Sequence, residues 1–173
     1  MIIPKQKIKV FISSSCGERY KLVRAGLKAL IEATHLAEVY SFESEGASTV
    51  SAKHHYESHL KDCDVCIFLI DNKDGIPDGV QNEIHIVKKH GIKAFYYFCD
   101  QSSKEETPLQ KSLEGEEHAK RKVVHSFEEL IQVGVPDLIN DIVFLYRQHC
   151  KGYIGWREEE TNEGIGAIFP SGS

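Results

Sequence analysis

The stretch from Asp64 to Phe98, DVCIFLIDNKDGIPDGVQNEIHIVKKHGIKAFYYF, decides the fold class. It opens on a nearly continuous apolar run, Asp64 to Ile70, the pattern of a central parallel strand covered on both faces. It closes on a second strand-like run, Lys93 to Phe98. Between them lie a polar loop and a segment of helix length. At about 100° per residue, Val80, Ile84 and Val87 fall on one apolar stripe. Glu83 falls inside that stripe rather than opposite it. A carboxylate on a helix's inward face costs free energy unless something there uses it. Counting the helix from Val80 puts Glu83 in its first turn, where the helix N-terminus favours the ionised form.

The same alternation extends outward. Ile8 to Ser13 reads as a first strand, followed by a small-residue loop in which Ser15 and Glu18 have capping-box spacing. Val23, Leu27, Leu30 and Ile31 then form an amphipathic helical stripe. Ala37 to Phe42 is a second strand, and Ala52 to Cys63 a polar helix. Beyond the central unit, a short helix is expected after Pro108 and a fifth strand over Lys122 to Val124. Ser126 and Glu129 form another capping-box pair, and Pro136 to Tyr146 a last helix with Leu138, Ile142 and Leu145 at core spacing. The aperiodic, Gly- and Glu-rich residues 151–173 read as a tail or linker, leaving 1–150 as one α/β domain.

Strands alternating with helices predict a parallel sheet of about five strands with helices on both faces. Ligands of such sheets sit at the carboxyl ends of the strands, near a topological switch point. The loop at Ser13 to Gly17, the end of strand two and the segment Asp71 to Glu83 would meet there.

Composition narrows the function classes. The 173 residues carry a net charge of −5, which argues against nucleic acid or an anionic membrane as the main partner. No apolar run approaches the length of a membrane span, and the N-terminus lacks the pattern of a signal peptide. The 5 cysteines are an odd number without scaffold spacing, expected to be reduced in a cytoplasmic protein. Cys63-Asp64-Val65-Cys66 matches CxxC only as a string, since it spans a helix end and a buried strand. His55 and His59 lack the further partners of a metal site, so no metal is expected. The sequence also lacks the glycine motifs of P-loop NTPases and of Rossmann dehydrogenases.

The runs KVFISSS, KDCDVCIFLID and DGVQNEIHIVKKHGIKAFYYF together resemble two related groups. One is the bacterial TIR-like domains of immune-type proteins. The other is the nucleoside 2-deoxyribosyltransferases. The resemblance covers roughly Lys7 to Phe98 and implies a flavodoxin-like three-layer sandwich. In both groups a glutamate on the helix after the third strand serves the anomeric carbon of an N-glycoside, which points to Glu83. The transferase pattern is an acidic residue, Gly, Thr, two variable residues and Glu. It reads here Asp78-Gly79-Val80-Gln81-Asn82-Glu83, with Val80 where the transferases carry threonine.

The resemblance implies an NAD-cleaving glycohydrolase acting as an effector module in antiphage defence, with NAD as substrate rather than cofactor. A homo-oligomer is expected. The alternatives are a non-catalytic TIR-like self-association domain and a deoxyribosyltransferase-type enzyme. Chemistry favours NAD independently. Glycosidases need two carboxylates because the leaving oxygen must be protonated. Nicotinamide departs neutral from a cationic ring, so one ionised carboxylate suffices, as stabiliser or nucleophile.

The candidate substrate-binding residues are Ser13, Ser14, Ser15, Phe42, Asp71 and Asp78. The serines suit phosphate at a helix start, and equally a plain turn and cap. Asp71 could take ribose hydroxyls. Phe42 or its neighbour Tyr40 could stack on a base, or pack in the core. Asp78, in an Asp-Gly pair, also suits a turn.

Overall fold

The computed structural model describes residues 7–15, 17–41, 52–71, 75–99, 104–148 and 150, without the side chains of residues 52–55. The strands are β1 (Ile8–Ser14), β2 (Ala37–Tyr40), β3 (Val65–Asp71), β4 (Lys93–Cys99) and β5 (Ala119–Val124). They form one sheet of order β2-β1-β3-β4-β5, with every pairing parallel. This is the flavodoxin-like order, with its switch point between β1 and β3. The helices are α1 (Glu18–Glu32), α2 (Ala52–Asp62), α3 (Asp78–His90), α4 (Pro108–Ser112) and α5 (Phe127–Glu129). A π-helical turn, Leu130–Gly134, joins α5 to α6, which runs over 135–148.

Alternation along the strands produces three layers. Ile8, Val10 and Ile12 face one core with Leu27 and Ile31 of α1 and Leu138 and Ile142 of α6. Phe11 faces the other, with Leu60 of α2 and Val80, Ile84 and Val87 of α3. The central strand β3 is buried from Val65 to Ile70, as its unbroken apolar run requires. Phe68 and Tyr96 stack within the second core at 4.8 Å.

Some local expectations fail for physical reasons. The Ser15–Glu18 capping box does not form. α1 starts two residues later, capped at Gly17 without a side-chain bond. Its buried stripe is Tyr20, Arg24, Leu27 and Ile31, while Leu30 is 40% exposed. β5 begins at Ala119, because a parallel edge strand needs only one neighbour's ladder and so tolerates the charged run AKRK. Ser126 caps α5 by accepting from the Glu129 amide, but the Glu129 carboxylate reaches back to His125 rather than to Ser126. The helix after Pro108 is present, with a full capping box from Thr107 and Gln110. Residues 151–173, read as a tail or linker, lie outside the described residues.

The π turn carries its own support. Its wider ring displaces the ordinary helical hydrogen bonds, and the Tyr97 hydroxyl donates to the Gly134 carbonyl at 3.1 Å. A β-carbon on Gly134 would lie 3.0 Å from both Leu130 and Tyr97, which explains the glycine. Tyr97→Phe is expected to cost about 1 kcal/mol, lowering Tm by roughly 2–4 °C in thermal unfolding. An unchanged Tm would mean that the bond adds nothing to the turn.

Candidate active site

Glu83 is 4% exposed on the inner face of α3. Ser13, the next-to-last residue of β1 and fully buried, points to the same side of the sheet. Its hydroxyl donates to Glu83 Oε2. The Tyr56 hydroxyl, from α2, is a second hydrogen-bond partner of the same carboxyl. Three elements thus converge on one carboxylate at the switch point.

The expectation that Glu83 stands in the first turn of its helix is overturned. Pro77 caps α3 and the helix begins at Asp78, so Glu83 stands in the second turn. The dipole's influence fades within the first turn. Burial raises the Glu83 pKa above the ordinary 4.5, and the two hydroxyls offset only part of that rise. Among the described residues, Glu83 pairs with hydroxyls and with no cation.

Ser14 faces the opposite side of the sheet, as consecutive strand residues must. Arg24, only 3% exposed, donates from Nη1 to the Ser14 hydroxyl at 2.5 Å and to the Ser15 carbonyl at 2.7 Å. On this side the Tyr20 hydroxyl donates to Asp71 Oδ2 at 2.9 Å. Burial, and then that carboxylate, push the Tyr20 phenol well up, so it stays a donor. The sequence-derived candidates therefore divide. Ser13 joins Glu83, whereas Ser14, Ser15 and Asp71 form a second polar cluster across the ends of β1 and β3. Asp78 is exposed in the first turn of α3, and among the described residues it bonds to neither cluster. Phe42 lies outside the described residues. Tyr40 packs between Phe11 and His59, with ring centroids 5.4 and 4.0 Å away, so both its faces are taken.

Three participants were not singled out from sequence. Arg24 had the signal that exposed Glu83, a charge within an apolar stripe, here between Tyr20 and Leu27. Tyr20 is the same stripe's first residue. Tyr56 had none, because α2 reads as polar throughout and only tertiary packing aims its hydroxyl at Glu83.

Other features carry no comparable chemistry. Cys63, Cys66 and Cys99 are buried free thiols, and burial pushes Cys63 up to about 12 and Cys66 well above its usual value. Such thiols are poor nucleophiles. Among the described residues no group of three metal-ligating side chains forms, and no helix is long and apolar enough to cross a membrane. A groove between β5 and α6 is lined by lysines already paired, Lys120 with Asp141 at 2.7 Å and Lys122 with Asp137 at 3.1 Å.

The molecule is a doubly wound α/β domain with a buried carboxylate, that of Glu83, at its switch point. The chain belongs to the family described as a domain of unknown function, DUF4062, whose model matches residues 9–141. No curated protein matches it. Among solved structures it is similar to the CMP N-glycosidase BcmB of Clostridium botulinum, at 18% identity and a TM-score of 0.56, covering 72% of this chain and 95% of that one. It is also similar to translation elongation factor SelB of Methanococcus maripaludis, at 14% identity and a TM-score of 0.53, covering 80% of this chain but 33% of that one. At these identities the likeness is one of fold.

Proposed function

We propose that this domain hydrolyses the N-glycosidic bond of a nucleotide, with NAD as the substrate, and that Glu83 is its catalytic residue. The observation that carries the reading is the buried Glu83 carboxyl, held at the β1/β3 switch point by two hydroxyls and, among the described residues, by no cation. A carboxylate so placed is free to answer positive charge developing on a ligand. In NAD the bond from ribose C1′ to the nicotinamide nitrogen breaks, and its electron pair neutralises the ring. Ionised Glu83 stabilises the oxocarbenium beneath it. Water then adds to C1′ and gives up a proton, leaving nicotinamide and ADP-ribose. Ser13 orients the carboxylate. Arg24, Ser14 and Ser15, across the strand end, suit the phosphates, and Asp71 the ribose hydroxyls.

The raised Glu83 pKa supports a second substrate, a pyrimidine nucleotide such as the one cleaved by the fold neighbour BcmB. A neutral base leaves more easily when protonated, and a carboxyl that holds its proton can supply one. Incubating concentrated protein with NAD or CMP, and separating the products by chromatography, tests both. NAD loss with nicotinamide release is expected. For NAD the rate should fall on the acid side with a midpoint above 4.5, because the active form is ionised. Turnover of neither compound would favour the self-association reading. An effector that completes its site through a neighbouring copy would show specific activity rising with protein concentration.

A further inference from the structure

We propose that Tyr56 is a positioning residue for Glu83, its hydroxyl acting with that of Ser13 to hold the carboxyl in one orientation at the switch point. The inference rests on the reading of Glu83 as the reactive group, and it adds α2 to the machinery. Ser13 takes Oε2 from β1, below the carboxyl. Tyr56 reaches it from the helix alongside. The Tyr56 ring is braced edge-on against Phe11 at 4.9 Å, and Phe11 is fully buried. The hydroxyl is thus delivered by a ring that packing holds in place. One residue after Tyr56 on α2 and one before Glu83 on α3, Asn82 donates to Glu57 at 3.2 Å, so α2 and α3 are joined at two adjacent positions.

Among the described residues, the two hydroxyls are the groups that favour the ionised form of Glu83. From β3 the facing titratable group is Cys66, whose thiol burial keeps neutral. On α2, Glu57 is turned to Asn82, and His59 lies flat on Tyr40. Each hydroxyl bond favours the ionised carboxyl against the burial that opposes it. Removing one should raise the Glu83 titration midpoint.

Tyr56→Phe keeps the ring against Phe11 and removes only the hydroxyl. Asn82→Ala, which loosens the neighbouring α2–α3 link without touching Glu83, is the control for simple helix docking. The midpoint is read directly by carboxyl-carbon NMR on protein with labelled glutamate, the Glu83 signal being assigned by its loss in Glu83→Gln. Tyr56→Phe should move the midpoint up by roughly one pH unit, the scale set by one hydrogen bond to a charged group. Asn82→Ala should leave it in place. A Tyr56→Phe midpoint equal to wild type overturns the proposal, and so does an equal shift in Asn82→Ala. The NMR result needs no turnover. A shift in Tyr56→Phe therefore stands even if the wild-type protein cleaves no nucleotide, and that outcome would count against the hydrolase reading alone. Where turnover is present, Tyr56→Phe should lower kcat several-fold with KM little changed, and should move the acid limb of the rate profile up with the NMR midpoint.

Discussion

Glu83→Gln is expected to lower N-glycoside cleavage by roughly 10²-fold or more, the loss seen when one well-placed electrostatic group is removed. Glutamine keeps the shape and can still accept from Ser13, but it cannot answer a developing positive charge. The same substitution should stabilise the fold near neutral pH. Burial raises the folded-state pKa of Glu83 above 4.5, so the folded chain binds the proton more tightly than the unfolded chain. The stability linked to that proton is fully present below the unfolded value and is lost as pH rises through the folded one. Near neutral pH the wild type therefore bears the cost of a buried charge, which glutamine avoids. Melting curves should show Glu83→Gln above wild type at neutral pH, with the gap closing below pH 4.5. Measuring NAD loss on the same samples separates catalysis from structure. A variant that is destabilised at neutral pH yet fully active would show Glu83 to be a structural group.

The second large effect is expected at Arg24. A guanidinium with 3% exposure is held there by two short bonds, to the Ser14 hydroxyl and the Ser15 carbonyl. Arg24→Met keeps most of the aliphatic stem but strips the donor from both oxygens. Hydrogen bonds involving a charged group contribute about 1.5–3 kcal/mol each, and the Ser15 carbonyl still accepts from the Ser14 hydroxyl at 3.0 Å, so a loss at the low end for two such bonds, about 3 kcal/mol, is expected. For a domain of this size that lowers Tm by roughly 6–12 °C. Arg24→Lys should recover part of it, since one ammonium can also serve two acceptors. Arg24→Met melting with the wild type would show that the β1–α1 connection holds without this bond pair. In the NAD assay, Arg24→Lys should raise KM more than it lowers kcat if the cluster holds phosphate away from the reacting carbon.

Comparing Arg24 with Glu83 shows what could be read from the chain alone. Both are charges inside apolar helical stripes, and periodicity suffices to expose such a conflict without coordinates. Glu83 was recognised in this way. Arg24 does not stand out in the same way, because a stripe through Val23, Leu27, Leu30 and Ile31 leaves it off the inward face, whereas Leu30 faces solvent. The parallel sheet was equally accessible. Runs such as VCIFLI are too apolar for a one-sided strand, and their alternation with amphipathic helices leaves few other folds.

Local order in the chain therefore determined the layers, the central place of β3 and the inward turn of Glu83, because each rests on periodicity within a few residues. Only the tertiary structure decided which candidates share a site. Ser13 and Ser14 are neighbours in sequence, but the strand sends them to opposite faces, one to Glu83 and the other to Arg24. Tyr56 and Glu83 stand on different helices, and no local pattern relates them. Their meeting, and the balance of burial against hydroxyl bonds that sets the charge on Glu83, arise only where β1, α2 and α3 pack together.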